Sequence, residues 1–406
     1  MSDVPNFRQA PEGKEAPGSL GVLGGLTNRL IDFWYAPKAS PSQAFSIGQI
    51  RALTVLEALY RKLWRLREGF HKVVRKPFRS PRVKVIAVGN LVVGGAGKTP
   101  CVLSLAQYLA DQGIAAGILS RGYKSQAEKG LPKVLMPYNL MNITPEQVGD
   151  EAWLMAWRTQ RPVAVGKDRR QALDALLRAD PALQVVILDD GLQQRSVAWD
   201  ISLLVIDERG FGNGYCLPLG PLREPLAQLD RFSGWIDNGF GQAAESGSGP
   251  DLQTKPVDTP LAATPMPILP ELTAKLTQRQ GAWIPLAHWR DGKEWLDPQA
   301  GISRFRNKKI LAVAGIAVPE RFFALLQSMG LTFESLPLDD HDPHLVRKTL
   351  EACARKTYDL VLMTEKDAVK FFHQDTPLHE KAWALRRESQ LDHSFLQRLI
   401  DGPQTA

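Results

Sequence analysis

Cysteine is scarce in this 406-residue chain: Cys101, Cys216 and Cys353 are the only three, far apart and odd in number. That pattern excludes a disulfide framework and a zinc site built on thiolates. Long apolar runs are lacking too. No uncharged stretch is longer than Val85 to Gly97, which is too short and too rich in glycine to span a bilayer. The first thirty residues carry no basic start followed by an apolar core and a cleavage site, so no secretory signal is expected and the chain reads as intracellular. There is no internal repeat, no Ser-His-Asp or Cys-His motif and no histidine-rich metal site. What is present is core material: 44% hydrophobic and 23% charged residues, enough for two or three domains and too apolar for a disordered chain.

The net charge of +7 is uneven. Residues 49–84 hold eleven Lys/Arg against Glu57 and Glu68, so this segment is +9 and the remainder is −2. A basic chain suggests nucleic acid, but here the excess belongs to one block and no nucleic-acid partner is expected. Within it, from Ser46 to about Lys76, Ile50, Leu53, Leu56, Leu59, Tyr60, Leu63, Trp64, Leu66, Phe70, Val73 and Val74 recur at helical spacing. This predicts a basic amphipathic helix. Three uses are open to it: packing on its own domain, lying in an anionic membrane surface, or serving as a nucleic-acid arm.

Residues 1–45 read as a mobile tail and 46–80 as the helix. From 81 to 240, strands Val83–Val88, Ala115–Ser120, Pro162–Val165, Val185–Leu188 and Ile201–Ile206 alternate with helices Thr99–Gln112, Glu146–Arg158 and Arg169–Ala179. Continuous apolar strands between helices predict a parallel sheet covered on both faces. Residues 241–270 are rich in Gly, Ser and Pro and read as a flexible insertion. Over 271–380 alternation resumes with Lys309–Ala314, Glu320–Met329, Leu345–Ala354 and Leu360–Met363, a smaller α/β domain. The segment 381–406 is expected to pack back on the first domain.

The sharpest signal follows the first strand: Gly94-Gly95-Ala96-Gly97-Lys98-Thr99, then a helix. Small residues let backbone N–H groups curl round phosphate oxygens, and the helix N-terminus adds positive potential. Lys98 would reach the β- and γ-phosphates and the Thr99 hydroxyl would bind Mg²⁺. The usual eight-residue form has Gly where this chain has Val92. Asp189 and Asp190 end the Val185–Leu188 strand, where a P-loop enzyme needs an acid for its magnesium. The fold class is therefore α/β, a P-loop NTPase-like parallel sheet with a second, smaller α/β domain. Kinases and partition-type ATPases both fit, although the latter usually have a second lysine where this chain has Val93.

Further motifs carry a resemblance. Gly89-Asn90 leads into the phosphate loop; then come Ser120-Arg121-Gly122-Tyr123, Gly149-Asp150-Glu151 and Asp189-Asp190-Gly191-Leu192-Gln193. Gly220-Pro221-Leu222-Arg223-Glu224-Pro225, Ala314-Gly315-Ile316, Pro319-Glu320-Arg321-Phe322-Phe323, Asp340-His341 and Thr364-Glu365-Lys366-Asp367 follow. In this order they resemble the tetraacyldisaccharide 4′-kinase family of lipid A biosynthesis, from about Phe33 to Lys370. The chain departs from it in the tail, in the 241–270 loop, and at Asp342, where many members have a second histidine.

The resemblance implies transfer of the ATP γ-phosphate to the 4′-hydroxyl of a lipid A disaccharide 1-phosphate precursor, giving lipid IVA. It implies ATP and Mg²⁺ as cofactors and a peripheral place at the cytoplasmic face of the inner membrane. It points to Asp150 as the base and His341 as its partner, with Lys98 on the phosphates. Glu151, Thr99, Asp189 and Asp190 would serve the metal. Gly94, Gly95, Ala96, Gly97, Lys98, Thr99 and Gln193 would hold the nucleotide, and Asn90, Arg121 and Arg223 the acceptor. A carboxylate that accepts the hydroxyl proton suits a weak sugar nucleophile, and an imidazole can orient it. Plainer roles stay open: Asp150 as a helix cap, His341 bonded within its loop, Arg223 and Arg121 as surface ion-pair partners.

Overall fold

The computed structural model describes residues 29–35, 45–74, 76–239, 273–289 and 295–401. The 241–270 insertion lies outside the described residues, as does most of the 1–45 tail. Part of that tail is not a loose end, however. Residues 29–35 form a helix in which Phe33 packs with Phe45 and Leu219, and the Trp34 indole donates to the Pro218 carbonyl at 3.0 Å. Buried aromatics hold it down.

The basic helix α1 runs Ile47–Val74. Ser46 and Gln49 cap it reciprocally: the Gln49 N–H donates to the Ser46 hydroxyl at 3.3 Å, and the Ser46 N–H to Gln49 Oε1 at 2.9 Å. Strand β1 (Lys84–Gly89) follows, then α2 (Lys98–Asp111) and β2 (Ala116–Ser120). Strands β3 (Lys133–Leu135) and β4 (Val163–Val165) are short. Between these two, the single helix expected over Glu146–Arg158 is two, Pro145–Val148 and α3 (Asp150–Thr159). The break is Gly149, at φ 95°, a conformation an L side chain resists. Spacing alone does not show it, because the apolar residues keep helical rhythm on both sides.

Helix α4 (Arg169–Ala179) leads to β5 (Val185–Asp189), β6 (Ile201–Asp207), β7 (Gly234–Asn238) and β8 (Thr273–Lys275). The first sheet has the order β3-β4-β2-β5-β1-β6-β7-β8, with only β3 antiparallel. Its central strands are buried end to end, which is why they read as continuous apolar runs.

The second sheet comprises β9 (Thr277–Pro285), β10 (Ile310–Ala314), β11 (Glu334–Pro337), β12 (Leu360–Thr364) and β13 (Ala382–Gln390). Its order is β11-β10-β12-β13-β9, with β9 antiparallel to β13. The short helix α5 (Glu365–Ala368) follows β12, and α6 (His393–Asp401) ends the described chain. The expected boundaries shift accordingly. Strand β8, placed by its sequence in the second unit, pairs with β7 of the first sheet, while β13, placed in the terminal segment, pairs with β12. The charged second half of β13 hides it as a strand. Helix α6 does lie on the first unit: the Lys84 ammonium donates to the Ile400 carbonyl at 2.7 Å, and His393 meets Tyr108 edge to face.

One core runs under α2 and α3 into the second unit without a break. At its seam Trp153, fully buried on α3, packs 4.5 Å from Phe372 and stacks on Trp157, which stacks in turn on Trp289. The Trp153 indole donates to the Ile143 carbonyl at 2.8 Å. Trp153→Ala should therefore lower stability by about 3–5 kcal/mol in denaturant unfolding. A loss below about 1 kcal/mol would show that this seam does not hold the two sheets together.

Candidate active site

The phosphate loop leaves β1 at its carboxyl end and enters α2 through Gly97, the N-cap, at φ 83°, with Gly94 at φ 96°. A side chain at Gly97 would run into the Asn238 amide, which donates to the Ala96 carbonyl at 3.1 Å. Asn90 is fully buried inside the loop. Its amide donates to the carbonyls of Val92 (2.9 Å) and Gly94 (3.2 Å), and its oxygen accepts from the Lys98 ammonium at 3.1 Å. Asn90, expected at the acceptor, instead shapes the loop. Gln193 stands behind it, donating to the Asn90 carbonyl at 2.9 Å. The Val92 departure also has a purpose here, since Val92 pairs with Leu222 and the Val93 N–H donates to the Pro221 carbonyl at 2.9 Å. The loop's backbone is thereby tied to the Gly220–Pro225 motif.

Lys98 lies 3.5 Å from Asp190, and Arg223 lies 3.6 Å from the other Asp190 oxygen. Asp190 has φ 50°, which swings it out of the strand line toward these cations. Burial alone would raise its pKa, but Lys98 and Arg223 hold it below the ordinary range. Asp189 differs: it is buried beneath, accepts from the Ser120 hydroxyl at 3.0 Å, and is pushed up to about 6 by burial and by the nearby Glu151 and Asp190 charges. Glu151 is thus close enough for its charge to be felt at the nucleotide side. Arg121 pairs with Glu128 at 2.8 Å and is half-exposed, joined to neither carboxylate cluster.

The second cluster gathers where the two sheets meet. Gly122 (φ 67°) and Gly149 pack backbone to backbone: a Cβ on Gly149 would lie 3.3 Å from the Gly122 Cα. This contact puts Tyr123 and the start of α3 side by side. Asp150 and Glu151 then point at the second unit's loop after β11. His341, at φ 60°, places Nδ1 3.5 Å from Asp150 Oδ2, and its ring meets Tyr123 edge to face at 5.9 Å. Burial would raise the Asp150 pKa, but the His341 hydrogen bond and the charges of Lys370 and Lys366 hold it below the usual range.

Three residues close to these groups had no role assigned from sequence. Lys366 donates to Glu151 (3.0 Å) and Asp340 (2.9 Å) and sits 3.3 Å from His341 Nε2. Its signal was the Thr364–Asp367 motif. Lys370, one turn on, had only its i+4 spacing. Arg209, paired with Asp207, donates to the Gly95 carbonyl at 2.5 Å and had no sequence signal.

Among the described residues, no three His, Cys, Asp or Glu side chains form a group able to hold a metal ion alone. Mg²⁺ needs no such group, since it keeps waters and takes one or two carboxylates with substrate phosphates. Asp190 Oδ1 is buried with no hydrogen-bond partner, Lys98 standing 3.5 Å away, so Asp190 would serve such an ion, with Glu151 and the Thr99 hydroxyl as the further residues to hold it.

Residues 49–403 match the family model described as tetraacyldisaccharide-1-P 4′-kinase. The chain is 37% identical over 352 residues to the tetraacyldisaccharide 4′-kinase of Herminiimonas arsenicoxydans, covering 86% of this chain and 88% of that one. It is 34% identical to the kinase of that name from Pseudomonas putida, covering 93% and 99%. Among solved structures it resembles the "apo" form of LpxK from Aquifex aeolicus in complex with ATP, with TM-score 0.65, 25% identity, and coverage of 87% and 98%.

Lys98→Ala should leave the fold intact and abolish phosphoryl transfer, because Lys98 starts the helix that the loop enters and its ammonium is the cation placed to meet the β- and γ-phosphates. Thermal unfolding checks the first part and turnover the second; a folded variant with near-normal turnover would remove the loop from catalysis.

Proposed function

The chain belongs to the tetraacyldisaccharide 4′-kinase family, and from that membership we propose how its residues carry out the transfer. It is an ATP-dependent kinase of lipid A biosynthesis acting on the 4′-hydroxyl of a tetraacyldisaccharide 1-phosphate. The observation that carries the mechanism is the adjacency of Asp150 and Glu151 at one helix start. Asp150 faces His341 of the second unit, and Glu151 lies near Asp189 of the nucleotide side.

In the proposed step, the phosphate loop and Lys98 hold the β- and γ-phosphates, and Thr99, Glu151 and Asp190 serve the metal. Bound Mg²⁺ would neutralise charge on the transferring group. Asp150 accepts the proton of the 4′-hydroxyl while that oxygen bonds to the γ-phosphorus and the bond to ADP breaks. His341 orients the carboxylate. Arg223, beside Asp190 and fixed through the Tyr60 hydroxyl donating to its carbonyl at 2.8 Å, is set to meet phosphate oxygens. A site between two units can exclude water once both substrates fill it, and water competes with the hydroxyl for the phosphoryl group.

Asp150→Ala and His341→Ala should each lower kcat by ~10²–10⁴-fold with ATP affinity little changed. The double variant should lose far less than the product of the two, as residues acting together do. The assay follows labelled γ-phosphate into the lipid disaccharide; label released only as free phosphate would point to an ATPase instead.

We propose further that α1 seats the enzyme on the cytoplasmic face of the inner membrane. No helix among the described residues is long and apolar enough to cross a bilayer. One side of α1 packs on the first unit through Tyr60, through Arg67, which donates to the Gln193 carbonyl at 3.4 Å, and through Glu68 on Arg195 at 2.8 Å. The opposite side leaves Val55, Leu56, Leu59, Leu63, Leu66, Phe70 and Val73 exposed, Val73 at 82%. Cations beside that stripe suit anionic headgroups. Replacing Leu59, Leu63 and Phe70 with Ser should move the protein off anionic vesicles and reduce activity on vesicles more than on detergent-dispersed acceptor. Added salt should also weaken attachment. Vesicle binding unchanged by both would refute the proposal.

A further inference from the structure

The seam between the two units holds more acid than the transfer uses. Asp150 and Glu151 come from one side, and Asp340 from the other, close enough to repel across the gap. Two lysines answer them. Lys366 and Lys370 stand four residues apart on a continuous helical stretch, α5 and the tight turn Val369–Phe371, so both ammonium groups share one face. Lys366 grips Glu151, Asp340 and His341 Nε2 at 3.0, 2.9 and 3.3 Å. Lys370 lies 3.5 Å from Asp150 Oδ2 and donates to the Asp342 carbonyl at 3.1 Å. Each lysine therefore joins one carboxylate of the first unit to the second unit's histidine loop.

We propose that Lys366 and Lys370 are positioning residues for the transfer, drawing Asp150 and Glu151 onto the His341 loop so that Asp150 presents its other oxygen to the acceptor hydroxyl. The inference rests on the reading of Asp150 as the base. Both His341 and Lys370 approach the same oxygen of Asp150, Oδ2. That arrangement leaves Oδ1 to take the proton and fixes the carboxylate plane from behind. Lys366 does for the histidine what Lys370 does for the aspartate. His341 has a left-handed backbone, which a non-glycine residue keeps only when its surroundings over-determine it. Lys366 on Nε2 and Asp150 on Nδ1 hold the imidazole from both ends. Reacting groups must be placed to within about 1 Å, and losing that placement costs roughly 10²-fold in rate.

The test is a double-mutant cycle between Lys370→Met and Asp150→Asn in the full-length enzyme, with folding checked by thermal unfolding. Lys370→Met alone should lower kcat by roughly 10²-fold and leave the KM for ATP nearly unchanged. In the Asp150→Asn background the same change should cost little more, because the group it positions is already gone. Lys366→Gln in the His341→Ala background should behave likewise. Losses that multiply in both cycles, or fall in KM for ATP rather than kcat, would overturn the proposal, as would loss of folding in both lysine variants, which would make them structural. Near-normal kcat in Asp150→Asn alone would instead remove Asp150 as the base, a separate failure.

Discussion

The site depends on one constraint: two adjacent carboxylates must be held at the seam between two separately built sheets. Asp150 and Glu151 occupy that place because Gly149 interrupts a helix and packs against Gly122. A continuous helix would have turned the two acids about its own axis. The restart instead sets both at an N-terminus, where the helix dipole favours negative charge and first-turn side chains point outward. From there one acid meets the histidine of the second sheet and the other stands near enough for its charge to act on Asp189.

Holding acids at a buried seam is costly unless they are paired, and the pairs here cross it. Lys366 and Lys370 lie against Glu151 and Asp150, and Arg158 of α3 meets the buried Glu365 at 2.7 Å. Burial pushes the Glu365 pKa up while the Arg158 charge opposes it. Such pairs add little net stability, yet removing one partner strands the other, so they specify a mutual arrangement more than they strengthen it. The strength comes from the apolar seam of Trp153, Trp157, Trp289 and Phe372. Apolar contact holds the sheets together, and charge sets their register.

Helix α1 is tied to this arrangement from outside. Tyr60 bonds the backbone of Arg223, whose side chain lies beside Asp190, so the helix is anchored directly behind the nucleotide side. Its other face carries the exposed leucines. Of the three uses left open by its composition, the structure shows the first, packing inward on one stripe, while the other stripe stays exposed, as the proposed seat on a lipid surface requires. Periodicity showed the apolar residues but not that they divide into two stripes.

The local sequence determined the parts whose physics is local. Continuous apolar strands, the glycine loop and the acids ending β5 were legible because burial on both faces, φ > 0 and a strand terminus each demand particular residues in order. The family resemblance supplied Asp150 and His341, which no spacing could pair, since they are 191 positions apart. Tertiary structure decided the rest. Asn90 looked like a contact for the acceptor and proved to be buried under the loop, because hydrogen-bond partners are not written in a motif. Strand β13 was hidden by its charged half, and Lys370 and Arg209 by being single cations among many. Their meaning lies in what stands opposite them, and that is set only when distant segments pack together.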